Sequence, residues 1–198
     1  KLNHEIELRF LNEFKNHQFK TICARIFRGY GRGSRCVISR WVRDCLDGNT
    51  LSVFRKEGIF DFIFAEDTAN GLIHLVKSNN ISGIINLGND NARRIEDVVT
   101  ILKKHFPQMK YNEINSDIPY EASQANMEMF KQHTGWIPTI QLEEGIQKII
   151  DYEKSKILKK HAVNINVLIT SISKKIPLIE SVKKASQKIS TNIQVHGA

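Results

Sequence analysis

Six arginines and no lysine fall within nineteen residues, at Arg25, Arg28, Arg32, Arg35, Arg40 and Arg43. A guanidinium presents its donors as a planar fork that matches two oxygens of a carboxylate or phosphate at once, so this composition points to an anionic ligand. Arg28, Arg32 and Arg35 are interleaved with Gly29, Gly31 and Gly33 in the stretch RGYGRGSR, where backbone freedom would let several forks converge. The same composition also suits a solvated loop, with Arg40 and Arg43 on a helix surface and Arg43 paired with Asp44 or Asp47. The three glycines do not read as a dinucleotide fingerprint, because they lead into an arginine-rich loop instead of opening a helix directly after a strand.

The remaining reactive residue types form no constellation. Glu66 and Asp67, before Thr68 and Ala69, suit the first turn of a helix, where the dipole favours acids, better than a catalytic dyad. The seven histidines show no H-x-x-x-H or H-x-H spacing, and Cys23, Cys36 and Cys45 include no C-x-x-C pair. No metal site is expected, and the cysteine usage is that of a reducing compartment. Trp41 and Trp136 read as packing aromatics.

The elements that must position these residues alternate. Apolar residues at helical spacing (Leu2, Ile6, Phe10, Phe14) predict a helix over Lys1 to His17, followed by a strand over Lys20 to Phe27 and a loop over Arg28 to Arg35. Helices are predicted over Val37 to Leu46, Glu66 to Val76, Ile95 to His105, Met127 to His133 and Leu142 to Lys160. Strands are predicted over Leu51 to Phe54, Phe60 to Phe64, Gly83 to Leu87 and Lys110 to Ile114. This alternation is the pattern of an α/β domain with at least part of its sheet parallel. Beyond it, Ile165 to Ser171 (INVLITS) reads as a fully buried strand, Pro177 as the start of a helix and Asn192 to Val195 as another strand. A boundary is therefore expected over residues 157 to 163, with 164 to 198 opening a second, truncated β-α-β domain.

The chain has 198 residues and a formal net charge of +8, and that excess is local. Residues 1 to 153 hold 20 Lys and Arg against 20 Asp and Glu, whereas residues 154 to 198 hold nine lysines against Glu180 alone. With no aromatic residue among those lysines to stack a base, a solvated helix face is expected and nucleic acid is not a predicted partner. No apolar run is long enough to cross a membrane, and the N-terminus has neither signal-peptide nor transit-peptide character, so a cytoplasmic location is expected. The first residue, Lys1, and the last three, His196-Gly197-Ala198, read as cut ends, and the chain is expected to be a fragment.

Five motifs, in order, resemble the second half of the extended short-chain dehydrogenase/reductase family, the NAD-dependent epimerases and dehydratases of nucleotide sugars. Lys1-Leu2-Asn3-His4-Glu5 is similar to the stretch from the lysine of that family's Tyr-x-x-x-Lys helix. Arg25-Ile26-Phe27-Arg28-Gly29-Tyr30-Gly31 is similar to its Arg-x-Phe-Asn-x-Tyr-Gly strand and loop. Phe60 to Asp67 looks like its Arg-Asp-Phe-Ile-Tyr-Val-Asp-Asp, and Ile85 to Gly88 like its Tyr-Asn-Ile-Gly. The last motif pairs Gly135-Trp136-Ile137-Pro138 with Leu142-Glu143-Glu144-Gly145. The resemblance implies the C-terminal half of a Rossmann-type fold with its substrate-binding subdomain over residues 1–156. It also implies NAD or NADP as cofactor and a small, anionic sugar substrate, with a homodimer possible.

By that resemblance Lys1 would bind the nicotinamide ribose and lower the pKa of a tyrosine four residues upstream, since a phenol is a poor base at neutral pH without a cation beside it. Taken alone, Lys1 reads as a frayed terminal lysine; only the order of the motifs favours the functional role. Phe27 would sit at the cofactor, and Arg28, Arg32, Arg35 and Phe60 at the substrate. The chain departs from the family where Arg28 replaces an asparagine, Phe60 an arginine, and the stretch Tyr120 to Ser123 offers Glu121 in place of a second arginine. These changes leave the substrate open between another activated sugar and an unusual sugar acid. Asn166 to Ser171 with Lys175 to Ile179 resembles the first strand and helix of ATP-grasp enzymes related to the carbamoyl phosphate synthase large subunit, which implies ATP and Mg for that part. The combined expectation is part of a carbohydrate-pathway enzyme, for instance one of surface polysaccharide synthesis. The alternative is a non-catalytic binding module that keeps the dehydrogenase fold.

Overall fold

The computed structural model describes residues 5–7, 21–78, 81–114, 119 and 121–172, with the backbone alone over 161–172. Lys1, the strand start at Lys20, the predicted helix after Pro177 and the strand from Asn192 lie outside the described residues. Three parallel strand pairs form: Ile22–Ile26 (β1) with Gly83–Leu87 (β6), Arg28–Tyr30 (β2) with Phe62–Phe64 (β5), and Leu51–Phe54 (β3) with Tyr111–Ile114 (β8). Ile59–Phe60 (β4) pairs antiparallel with Arg93–Arg94 (β7). The helices are Val37–Leu46 (α1), Ala65–Lys77 (α2), Ile95–His105 (α3), Glu128–Thr134 (α4) and Leu142–Ile172 (α5).

Local chemistry explains the helix ends. The Cys36 side chain caps α1 by accepting from the Ser39 N–H, and Gly48, with φ of 74°, lies in the turn that follows it. In α3 the Asp97 carboxylate accepts from the Arg94 N–H at 3.0 Å; acids occupy the first turn and Lys103, Lys104 and His105 the last, which complements the helix dipole. Gly135, at φ of 67°, ends α4.

The strand β5 divides the interior. All three of its residues are buried, and its alternation sends Phe62 and Phe64 into one apolar cluster with Tyr30, Trp41, Leu51, Val98 and Ile146. Ile63 faces a second cluster with Leu75, Ile85, Leu87, Met127 and Phe130. Next to β5, the fully buried Asp61 carboxylate accepts the Asn89 N–H at 2.5 Å, the Asp90 N–H at 3.0 Å and the Ala125 N–H at 2.9 Å. Its backbone carbonyl accepts the Arg28 N–H at 3.0 Å.

Four expectations need correction. The glycine-rich stretch from Arg28 begins as strand β2, because Tyr30 buries its ring edge-on against Phe62 and Phe64 with centroids 6.0 and 5.2 Å away; pairing with β5 outweighs the glycines' weak strand preference. The single strand predicted over Phe60 to Phe64 is broken at Asp61. Arg43 bonds neither Asp44 nor Asp47: its guanidinium reaches the buried Glu153 carboxylate at 3.0 Å and the Ser34 carbonyl at 3.3 Å.

The largest correction concerns residues 165–171, which are helix, the continuation of α5, instead of a strand. A short apolar run fits a strand or a buried helix equally by pattern, and no glycine or proline occurs between Ile146 and Ile176, so a helix started at Leu142 propagates one hydrogen bond per residue. The expected linker over 157–163 is helical for the same reason. The chain divides into two compact units, Lys1–Glu153 and Lys154–Ala198. In the second unit Lys154, Lys156, Lys159 and Lys160 are exposed on the helix. None of the described helices is long and apolar enough to cross a membrane.

Replacing Asp61 by Ala leaves one buried and two half-buried N–H groups without this acceptor, each bond to a charged partner being worth about 1.5–3 kcal/mol, so Asp61→Ala should lose at least about 3 kcal/mol in urea unfolding. Asp61→Asn, which keeps one acceptor oxygen, should lose less. A loss below about 1 kcal/mol for Asp61→Ala would contradict the role given to this carboxylate.

Candidate functional site

The break at Asp61 places two side chains together. Arg28 is register partner to Phe62 and its N–H is tied to Asp61 O, while Phe60 ends β4 on the other side of the break. The Arg28 guanidinium lies over the Phe60 ring, 4.5 Å from its centroid, and Nη2 donates to Glu121 Oε2 at 3.0 Å. Glu121 is itself held by backbone: its carbonyl accepts the Ile59 N–H at 2.8 Å, and Ile59 O accepts the Ser123 N–H at 3.0 Å.

These three residues line a cleft of about 430 Å³ whose walls include Val37, Ile38 and Trp41 from α1, Phe54 from β3, and Phe62 and Ile95. Two further arginines reach it. Arg40 comes from the exposed side of α1, and Arg55 from the turn after β3, where it adopts φ of 45°, a conformation costly for a side-chain-bearing residue and frequent at binding sites. Three arginines and one glutamate thus line an otherwise largely apolar cleft, in which charge interactions are stronger than in water.

Of the residues singled out from sequence, Arg28 and Phe60 meet in this cleft. Arg32 instead pairs with Glu66, and Arg35 is exposed outside the cleft lining. Phe27 packs half-buried against the second apolar cluster and donates its N–H to Leu87 O at 3.0 Å. It lines a separate hollow with Arg25, Ile26, Ser123, Arg28 and Glu121. Sequence reasoning missed Arg55; an arginine directly after a strand, in the turn Arg55 to Gly58 closed by a 2.9 Å bond from Gly58 N–H to Arg55 O, is the signal that could have marked it.

Two of the three glycines of the arginine-rich stretch serve packing. A Cβ at Gly31 would lie 2.8 Å from Ala65 Cβ, and one at Gly33 would lie 3.2 Å from the Tyr152 hydroxyl, whereas Gly29 has open space beside it and lines the cleft. Among the described residues no group of three or more His, Cys, Asp and Glu is placed to hold a metal ion.

The family model described as NAD dependent epimerase/dehydratase family matches residues 7–88. The UDP-glucuronic acid decarboxylase 1 of Danio rerio is 28% identical over 137 residues, which cover 68% of this chain and 32% of that protein. Among solved structures, the UDP-glucuronic acid 4-epimerase of Bacillus cereus, in complex with UDP-glucuronic acid and NAD, superposes with a TM-score of 0.70 at 23% identity, covering 78% of this chain and 51% of that one. RMD from Pseudomonas aeruginosa, complexed with NADPH, gives a TM-score of 0.71 at 18% identity, covering 79% and 55%. The chain therefore has the Rossmann-like α/β fold of these structures. It spans about a third of the length of the curated relatives it matches.

Cys36 also lines the cleft. Burial works to raise its pKa, but the Ser34 hydroxyl (3.1 Å) and the Ser39 N–H (3.5 Å), both donating to the sulfur, hold it below the ordinary thiol value. Burial pushes Cys45 the other way, to about 11. Because the thiolate is the nucleophile, iodoacetamide near pH 8 should alkylate Cys36 at least about tenfold faster than Cys45, read by peptide mass mapping. Equal rates would contradict this ordering.

Proposed function

We propose that the chain is the substrate-binding part of an NAD- or NADP-dependent enzyme acting on nucleotide sugars, of the epimerase/dehydratase kind, and that the cleft takes the anionic portion of such a substrate. The observation that carries this reading is the convergence of Arg28, Arg40 and Arg55 on one largely apolar cleft. Forked guanidinium donors at the rim suit phosphate or carboxylate oxygens, and Trp41, Phe54 and Phe60 offer flat apolar surface to a base or sugar ring. Support comes from the match of residues 7–88 and from relatives whose names specify UDP-glucuronic acid or UDP-glucuronate.

In this reading Arg28 supplies what Phe60 lacks. A guanidinium resting 4.5 Å over the Phe60 ring delivers a cation to the position where the resembled family carries an arginine. Arg32, engaged by Glu66, and Arg35, outside the cleft lining, take no part in this grip. The ATP- and magnesium-dependent part that the tail had suggested is not proposed, since its first strand is helix.

The residues described do not by themselves make a dinucleotide site: in the glycine cluster Gly31 and Gly33 are packed against Ala65 and Tyr152, and the cluster opens no helix directly after its strand. Lys1 and Phe27 remain the positions proposed to meet the nicotinamide cofactor in the whole protein. Calorimetric titration of the 198-residue chain with NAD should give no dissociation constant tighter than about 1 mM; micromolar affinity would overturn this part of the reading.

For the cleft itself the measurement is the dissociation constant of UDP-glucuronic acid. A lost charged, forked contact is worth about tenfold or more, so Arg28→Lys and Arg40→Gln should each weaken binding by about that factor. Arg32→Lys should leave it unchanged. Unaltered affinity in both Arg28→Lys and Arg40→Gln would remove the cleft from the proposal.

A further inference from the structure

We propose that Glu121 is a built-in competitor for Arg28, a carboxylate that a ligand's anionic group must displace, so that residue 121 sets how much negative charge the cleft accepts. The inference rests on the reading of the cleft as an anion site. The Glu121 carboxylate occupies the Arg28 guanidinium at 3.0 Å, the geometry an incoming phosphate or carboxylate oxygen would itself take. Both partners are about half exposed, with side-chain accessibilities of 48% for Arg28 and 57% for Glu121. An exchange of one anion for another at this position therefore requires no opening of the core.

The competitor is held in place from both directions. Its backbone is pinned on Ile59 through the bonds of 2.8 and 3.0 Å described above, an isolated parallel bridge joins Ala122 to Ile59, and Ser123 Oγ donates to Glu121 Oε1 at 3.5 Å. Arg28 is held by the Phe60 ring beneath it. The guanidinium is thus preorganised when the carboxylate leaves, which favours a ligand that can take its place.

Position adds to this. Arg28 and Glu121 are common to the cleft and to the neighbouring hollow that includes Phe27, so a ligand reaching from one into the other must part the pair. Once displaced, the carboxylate stays on the rim, where it opposes each further negative charge. A diphosphate is penalised more than a monophosphate, and discrimination of this kind needs only a repulsive group suitably placed.

The test measures dissociation constants of UDP and UMP for the wild-type 198-residue chain, Glu121→Gln, Arg28→Gln and the double variant, with urea midpoints as the check on folding. Removing an exposed competing carboxylate should tighten UDP by about five- to tenfold and UMP by less. In the Arg28→Gln background the same change at 121 should give a clearly smaller gain, because the contested partner is gone and only repulsion from the rim remains. If UDP binds wild type and Glu121→Gln equally, the competitor role is overturned while the cleft reading stands. If the gain persists undiminished without Arg28, Glu121 acts by repulsion alone and the proposal fails in its stated form. Should neither protein bind UDP or UMP, both the cleft reading and this inference fall.

Discussion

A carboxylate shut away from water must find its hydrogen bonds inside the protein or destabilise it by several kcal/mol, and the bonds that Asp61 finds join segments far apart in sequence. Its two oxygens hold the turn after β6 and the backbone at Ala125, while its carbonyl holds Arg28. The same residue separates β4 from β5. A Cβ at Gly88 would overlap that of Ala125 and crowd both Asp61 oxygens at 3.0 Å, so this position admits only glycine. The two apolar clusters, served by opposite faces of β5, are thus stitched at one polar point.

A second buried acid repeats the device at the other end of β5. Asp67, 1% exposed, accepts the N–H groups of Thr139 and Ile140 at 3.0 and 2.8 Å and the Thr139 hydroxyl at 3.2 Å. It anchors the approach to α5 on the first turn of α2. Glu153, also buried, accepts from the Arg43 guanidinium and so ties α5 to α1. Asp61 and Asp67 are each satisfied by several donors, which is the condition for burying charge at all, and each fixes a loop that packing alone would leave free to shift.

The site inherits this framework. Arg28 points over Phe60 because its backbone is fixed to Asp61 and Phe62, and Glu121 reaches Arg28 because its own backbone is bridged to Ile59. The cleft is consequently assembled from strands β2 to β5, helices α1 and α3 and two connecting segments, none of which would hold its position alone. Arg55, with φ of 45°, adds a conformation that the surrounding structure must sustain.

Much of this was legible from local chemistry. The spans of α1, α3, β3 and β6 follow from apolar period and stop signals, and the acids at the start of α2 lie at the helix N-terminus, as their dipole preference requires. The arginine-only composition between Arg25 and Arg43 marked the neighbourhood of the cleft, since guanidinium chemistry is visible in residue type. What residue type could not reveal is which arginines share a site: Arg28 is brought to Arg40 and Arg55, whereas Arg32 is drawn to Glu66 and Arg43 to Glu153. Ion pairs of this sort span separations of 34 and 110 residues, beyond any periodicity. Nor could an apolar run such as Ile165 to Ser171 declare itself strand or helix, because burial pattern is shared by both and the preceding helix decides. The sequence by itself determined the alternation of elements and the arginine-rich chemistry, both set by local propensity and side-chain type. Tertiary structure alone decided the break at Asp61, the partner of each guanidinium and the placement of Glu121 on Arg28, because these depend on backbone hydrogen bonds between segments that meet only when the chain is folded.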